Sequence, residues 1–333
     1  MKNWQVMVAA SLLFAALFVP LLLPTDYMLQ ILFRVFLFAA LGLAWNLVGG
    51  YAGQLSLGHA AYFGVGAYGL ALFSKLGISP WASVLLGIVM AVICAAMIGK
   101  VSFRLRGPYF ALCTIAFAEV LRLIAKNLPN VTGGDVGVQV PALFTYSATR
   151  SFYWSGILLT LFALALSAWI ERSRFGYYLM AIREDQDTAL SVGVNASRCK
   201  LWALLISAAI TGLGGALYAS MFLFIVPDQV LAMEISTEIA IVTMLGGAGT
   251  LLGPLVGSVV LESASEIFKN VFKEAHLLIY GVLIVLVVLF MPEGIVGSIT
   301  RRLELFRKAP TAPFAAPEPV TAEEEGQRAA ISE

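Results

Sequence analysis

Charge is what this sequence has least of. Only 12% of its 333 residues are Asp, Glu, Lys or Arg, against 60% hydrophobic. Soluble domains sit nearer ~25% charged and ~45–50% apolar, so a freely soluble globular domain is excluded. Net charge is +1, which gives no electrostatic footprint for a nucleic-acid partner. Cysteine is equally sparse. Cys94, Cys113 and Cys199 stand singly, so neither a disulfide framework nor a cysteine metal site is expected. His59 and His276 are the only histidines, in different apolar segments and without a carboxylate at ligand spacing. There is no HExxH, no GxSxG, no aspartate-rich magnesium motif and no GxxxxGK[ST] loop. No catalytic constellation, no metal and no bound cofactor are expected, and the chain does not hydrolyse ATP by itself.

What is abundant is apolar sequence in runs near the ~20 residues that span a hydrocarbon core. Candidate spans are 6–23, 28–48, 55–74, 81–99, 108–125, 152–170, 201–222, 239–262 and 276–291. A transmembrane β-barrel would instead show ~10-residue alternating segments. The expected fold is an all-α polytopic membrane protein. The first run follows Lys2 and has the outline of a signal peptide. It lacks a clear small-x-small cleavage site, so it is read as a retained first helix.

Lys and Arg set the orientation by the positive-inside rule. Lys2 starts inside. The run Lys100, Arg104, Arg106 and the 171–200 loop with Arg172, Arg174, Arg183, Arg198 and Lys200 then also fall inside. Segment 126–150, with its "TGGDVG", falls outside. After residue 200 the parity fails, because three crossings would leave Arg301, Arg302, Arg307 and Lys308 outside. One segment must not cross, or an additional one is hidden. The segment 239–262 is the candidate, since Gly246, Gly247, Gly249, Gly253, Pro254 and Gly257 crowd its middle. Glycine and proline penalise helix interiors, and broken helices persist in membranes where protein buries the freed backbone. It reads as re-entrant or as two half-helices. An earlier stretch, "GGYAGQLSLG", carries Gly49, Gly50, Gly53 and Gly58 in a related pattern. Such paired breaks point to internally repeated halves and a substrate site, or to close helix packing. Residues 1–300 are read as the transmembrane domain. Residues 301–333 are a cytoplasmic basic segment followed by a Pro-, Ala- and Glu-rich disordered tail.

Intramembrane charges are costly and therefore informative. Glu119 and Arg122 lie three apart and share a helix face, as a gate element or as a structural pair with Arg122 snorkelling. Arg34 stands alone in its span, structural or snorkelling. Asn46, Gln54, Ser56 and His59 surround the first glycine break, where they meet a substrate or bond freed backbone. Glu234 and Glu238 precede the second break and read as a solvated loop face.

The most charged stretch between spans is "AIREDQDTALSVGVN". Glu184, Asp185 and Asp187 suit the first turn of a helix, Gly193 supplies a C-terminal stop, and Asn195 or Ser197 caps the helix that re-enters. The result is a short helix, 184–192, bounded at both ends and too short to be stable alone. From these residues it is either a solvated connection or a docking element.

"AIREDQDTALSVGVNASRCKLWALLISAAITGLGGAL" resembles the signature loop and following helix of the branched-chain amino acid ABC transporter permeases. "NLVGGYAGQLSLGHAAYFGVGAY", "LRGPYFALCTIAFAEVLRLI" with "TGGDVGV", "MLGGAGTLLGPLVGS" and "MPEGIVG" are similar to further blocks of that family in the right order. "RGPYFAL" and the Thr-Gly-Gly-Asp loop resemble its LivM-type subunit. The resemblance covers roughly residues 28–300 and implies about eight to ten transmembrane helices with repeated halves. It implies an inner-membrane importer of branched-chain amino acids, with both termini cytoplasmic. This chain would pair with a LivH-type permease. Two cytoplasmic ATPases would carry the ATP and Mg, and a periplasmic binding protein would deliver the substrate. Arg183, Glu184, Asp185, Ala189 and Gly193 take the ATPase-coupling role by this resemblance, and closing of the ATPase pair would drag the short helix to alternate the access of the cavity. Gln54, Ser56, His59 and Glu119 are assigned to the substrate pathway. A urea or short-chain amide permease is the nearest alternative. An ion-driven carrier would need buried titratable relays, for which only Glu119 is a candidate.

Overall fold

The computed structural model describes residues 25–144, 148–272, Gly281 and 294–298. Ten helices of more than one turn organise them: α1 Asp26–Asn46, α2 His59–Lys75, α3 Pro80–Ser102, α4 Pro108–Lys126, α5 Ala148–Arg172, α6 Arg174–Glu184, α7 Gln186–Ser191, α8 Ala196–Phe222, α9 Met233–Gly246 and α10 Gly253–Phe272. Six segments among the described residues are long and apolar enough to cross a membrane: Asp26–Tyr51, Pro80–Ser102, Pro108–Lys126, Thr149–Arg172, Ala196–Phe222 and Pro227–Gly246. This is an all-α, multi-pass membrane protein. The expected spans 6–23 and 276–291, the choice between signal peptide and retained helix, and the 301–333 tail lie outside the described residues.

Helix α1 is the axis of the bundle. From Val35 to Asn46 every side chain is buried, packed against α5, α8, α9 and α10. Helix α2 is nearly as enclosed and stays close to its neighbours because it is rich in glycine. A Cβ added at Gly66 would lie 2.0 Å from the Gly212 carbonyl oxygen of α8. One added at Gly69 would lie 2.4 Å from Gly87 Cα of α3. Small residues at such crossings replace the hydrophobic drive that lipid does not supply. On the outside of α3, Leu85, Val89, Ile93 and Met97 form an exposed apolar row at four-residue spacing, as a lipid-facing stripe requires.

The segment 239–262 resolves as a hairpin. Helix α9 ends at Gly247, with φ +126°, and α10 returns antiparallel. The two meet so closely that a Cβ on Gly246 would lie 1.7 Å from the Gly253 oxygen, and one on Gly257 1.9 Å from the Val242 oxygen. Thr250 supports the turn, donating to Gly247 O at 2.7 Å and accepting from Gly253 N at 3.0 Å. Of the two expectations for this segment, re-entrant or two half-helices, the fold has two helices that meet at a glycine turn.

Two other expectations are corrected. Arg34 does not stand alone: its Nη2 lies 3.2 Å from Glu262 and 4.0 Å from Glu238. Glu238 is accordingly not a solvated loop residue but a helical one facing α1, and Glu234 sits in the first turn of α9. The partners of Arg34 are more than 200 residues away in sequence, so nothing local reveals them.

At one end of the bundle a two-residue antiparallel ladder pairs Val138 with Ile225 and Gln139 with Phe224. Nearby, Lys126 bridges Asp228 at 2.9 Å and Asp135 at 3.2 Å, and Arg122 pairs with Glu119 and Asp228. The Glu119–Arg122 contact is thus part of a network that joins α4 to the α8–α9 connection. Helix α8 runs from this end to the other, where the 171–200 loop lies.

Candidate functional site

The 171–200 loop folds as two helices joined by a corner, not as one short helix. Ser173 leads into α6, its hydroxyl accepting from Gly176 N at 3.3 Å. Asp185 then turns to an extended conformation, φ −154° and ψ 115°, and caps α7 by accepting from Thr188 N at 2.7 Å. That N–H bond holds the Asp185 carboxyl below its ordinary range. The single helix expected over 184–192 is therefore shortened to Gln186–Ser191, with Glu184 ending the preceding helix. An acidic residue in a first turn and one at an N-cap look alike in sequence, and only the backbone separates them. Gly193 takes φ +89°, a left-handed stop that glycine adopts without strain. Asn195 caps α8 through Arg198 N at 3.0 Å.

The α6–α7 corner is braced from below. Ile182, Ala189 and Ala196 form a small buried cluster with Val194 and Cys199 against it. Lys200, buried in α8, donates to Gln186 Oε1 at 2.6 Å. Arg106, from the α3–α4 connection, grips Asp187 with both terminal nitrogens at 3.0 Å. These two clamps were invisible in the sequence, where Arg106 and Lys200 counted only as orientation charges. What is exposed is Arg183, Glu184, Asp185, Asp187, Thr188, Leu190, Ser191, Val192 and Gly193. Val192 is 74% exposed and Leu190 44%. Ala189, assigned to coupling by resemblance, is turned inward.

Arg183 is exposed on this corner, and its guanidinium reaches the first glycine break. There α1 passes into a π-turn, Leu47–Tyr51, and then into irregular backbone until α2 starts at His59. Arg183 Nη1 donates to Gly50 O at 2.7 Å. The second break comes to the same place. Asn46, wholly buried, accepts from Gly249 N at 2.7 Å and donates to Thr250 O at 3.0 Å. A Cβ at Gly50 would lie 2.5 Å from the Gly249 nitrogen. Gly50, Gly53 and Gly249 thus surround one junction together with Arg183. Gly246, Gly247 and Gly253 shape the hairpin tip beside it. Gly49 sits under the Trp45 ring, 2.2 Å from where its Cβ would be.

Of the residues assigned to a substrate pathway, Ser56 and His59 lie together and Glu119 lies apart from them. Ser56 and His59 are fully buried, joined Oγ to Nδ1 at 3.2 Å, and His59 Nε2 meets Ser207 Oγ at 2.9 Å. Trp45 Nε1 donates to Ser56 O at 2.7 Å. Gln54 donates to Ala52 O at 3.4 Å. This constellation secures the irregular backbone. Glu119 lies in the distant ionic network of α4. Among the described residues no group of three or more His, Cys, Asp or Glu is arranged to hold a metal ion.

A family model described as the permease component of the branched-chain amino acid transport system matches residues 27–288. The high-affinity branched-chain amino acid transport permease LivM of Salmonella typhimurium is 29% identical over 298 residues, 81% of this chain and 70% of that one. The high-affinity branched-chain amino acid transport permease LivH of Salmonella typhimurium is 26% identical over 282 residues, 78% of this chain and 91% of that one. A probable LivM of Methanocaldococcus jannaschii is 24% identical over 323 residues, covering 81% and 93%. No solved structure matches. These relatives are transport permeases rather than enzymes. On a match across most of its length, the chain belongs to the branched-chain amino acid transport permease family, as a LivM-type member.

Proposed function

We propose that this chain is a permease subunit of an ATP-driven importer in the bacterial inner membrane, moving branched-chain amino acids by alternating access. The 171–200 loop and both termini face the cytoplasm. A LivH-type permease completes the membrane core, two ATPase subunits dock below, and a periplasmic amino-acid-binding protein delivers substrate from above. ATP and Mg belong to the ATPase subunits, and this chain binds no cofactor of its own. The α6–α7 corner is the observation that carries the reading. It is a short rigid element with two apolar side chains, Leu190 and Val192, presented outward beside the acidic Glu184 and Asp185. An apolar centre with a polar rim suits a protein interface, and the corner is continuous at both ends with membrane helices α5 and α8. Movement imposed on it tilts those helices.

Reversing charge with Glu184→Lys and Asp185→Lys is expected to lower leucine uptake at least tenfold and to weaken co-purification of the ATPase subunits. Unchanged uptake and unchanged co-purification would remove this corner from the docking surface. Competition for uptake by leucine, aromatic amino acids and urea in a permease-deficient strain separates the substrate classes, with leucine the expected winner.

A further inference from the structure

Arg183 lies near the end of α6 on the exposed corner, and its guanidinium reaches across to the backbone of another segment. Its Nη1 donates to the carbonyl of Gly50, in the last turn of α1's broken end. Carbonyls at a helix C-terminus are left without intrahelical donors and carry partial negative charge, so a guanidinium is a fitting partner. Among the described residues no carboxylate pairs with Arg183 in its place. Room for the side chain is made by glycines from two remote segments. A Cβ at Gly53, where φ is +66°, would lie 3.0 Å from Arg183 Cγ. A Cβ at Gly249, where φ is +81°, would lie 2.4 Å from Arg183 Nη1. Asn46 then fastens the end of α1 to Gly249 and Thr250 of the hairpin tip. Three pieces of chain, separated by 133 and then by about 200 positions, meet at one guanidinium.

The consequence is mechanical. The corner is joined covalently to α5 and α8, so these helices follow it in any case. Helix α1 and the α9–α10 hairpin have no covalent path to it of comparable length. Among the described residues their hydrogen bond to the corner is this one, while Tyr51 of the same broken turn donates to Glu171 Oε2 at the foot of α5 at 3.3 Å. Arginine suits the task because its fork is planar and pre-organised, whereas lysine presents a point charge on a flexible stem.

We propose that Arg183 is the transmission residue of the transporter, linking the α6–α7 corner to the junction of the two broken helices. It is a positioning residue that acts on this chain's own backbone at Gly50 and not by contact with the ATPase, although it is exposed on the corner. The inference rests on the importer reading above. In it, the glycine breaks are hinges, and Arg183 is what makes them move with the corner.

The test uses the complete transporter, both permeases with their ATPases and binding protein, reconstituted in proteoliposomes. Uptake of leucine and hydrolysis of ATP are measured together for wild type, Arg183→Ala and Arg183→Lys. For Arg183→Ala the complex is expected to assemble and to hydrolyse ATP, while leucine transported per ATP falls at least tenfold. Arg183→Lys is expected to recover part of that ratio. A wild-type ratio in Arg183→Ala overturns the link. Loss of the ATPase from the Arg183→Ala complex also overturns it, because Arg183 would then belong to the docking surface. Should Arg183→Ala fail to fold, Arg183→Gln and Arg183→Lys carry the same comparison, and wild-type ratios in both overturn the proposal. A wild-type chain that recruits no ATPase would bring down the importer reading itself, a failure visible before any variant is compared.

Discussion

Adding a single methyl group at Gly50 is expected to abolish transport. The Cβ of Gly50→Ala would lie 1.8 Å from Asn46 Oδ1 and 2.5 Å from the backbone nitrogen of Gly249. Neither neighbour can easily yield. Asn46 is fixed by its two bonds to the hairpin tip, and the nitrogen is main chain. Overpacking of this kind costs about 1–3 kcal/mol in well-packed cores. Here it also pushes the Gly50 carbonyl off Arg183. Uptake of leucine should fall by more than tenfold, with the amount of protein in the membrane falling less. The control is Gly281→Ala, whose Cβ would meet nothing within 4 Å among the described residues and should leave both unchanged. Full uptake by Gly50→Ala would mean that the junction tolerates separation, and that the two breaks need not be in contact for function.

The second large effect is on stability. Glu262 is only 4% exposed, and Arg34 is the described cation beside it. Glu262 Oε1 and Arg34 Nε find no hydrogen-bond partner among the described residues, so the pair is already imperfectly satisfied. Replacing one member of a buried pair strands the other, at a cost of about 3–5 kcal/mol. Arg34→Met should therefore lower the unfolding temperature of the detergent-solubilised protein markedly. With Glu262→Gln added, the stranded charge is removed and much of the loss should return. A double variant no better than Arg34→Met would show that the arginine acts through packing instead. Glu238, 4.0 Å from the same guanidinium, is the remaining carboxylate, and Glu238→Gln should cost less than Arg34→Met.

Local chemistry was legible where it is written in short spacing. The apolar runs located most of the helices, Gly193 stopped α7, Asn195 capped α8, and the crowding of glycine at 246–257 marked a real break. The division of 171–200 into α6 and α7 was not legible, because Asp185 serves equally well in a first turn or as a cap. Long-range partnerships were hidden for a more general reason. That Asn46 would reach Gly249, Arg34 would reach Glu262, and Arg106 would hold Asp187 depends on how helices are arranged, and periodicity is silent about that. Arg183 shows the same limit within one residue. The family resemblance groups it with its neighbours as an ATPase contact, while its guanidinium bonds a junction assembled from three segments. The Ser56, His59 and Ser207 contacts likewise show how polar side chains near a break can be occupied by one another.

The claim at the centre of this account is that the α6–α7 corner is where an ATPase subunit docks. Val192 is the most exposed apolar side chain there, and the free cysteines of the described residues, Cys94, Cys113 and Cys199, are buried or half-buried. A Val192→Cys chain carrying a short thiol-reactive photo-crosslinker, irradiated in native membranes with all subunits expressed, reads the contact directly. The expected result is a single adduct with the ATPase subunit, its yield changing when ATP is added. Crosslinking to lipid or to the binding protein, with no ATPase adduct under either condition, would contradict the account.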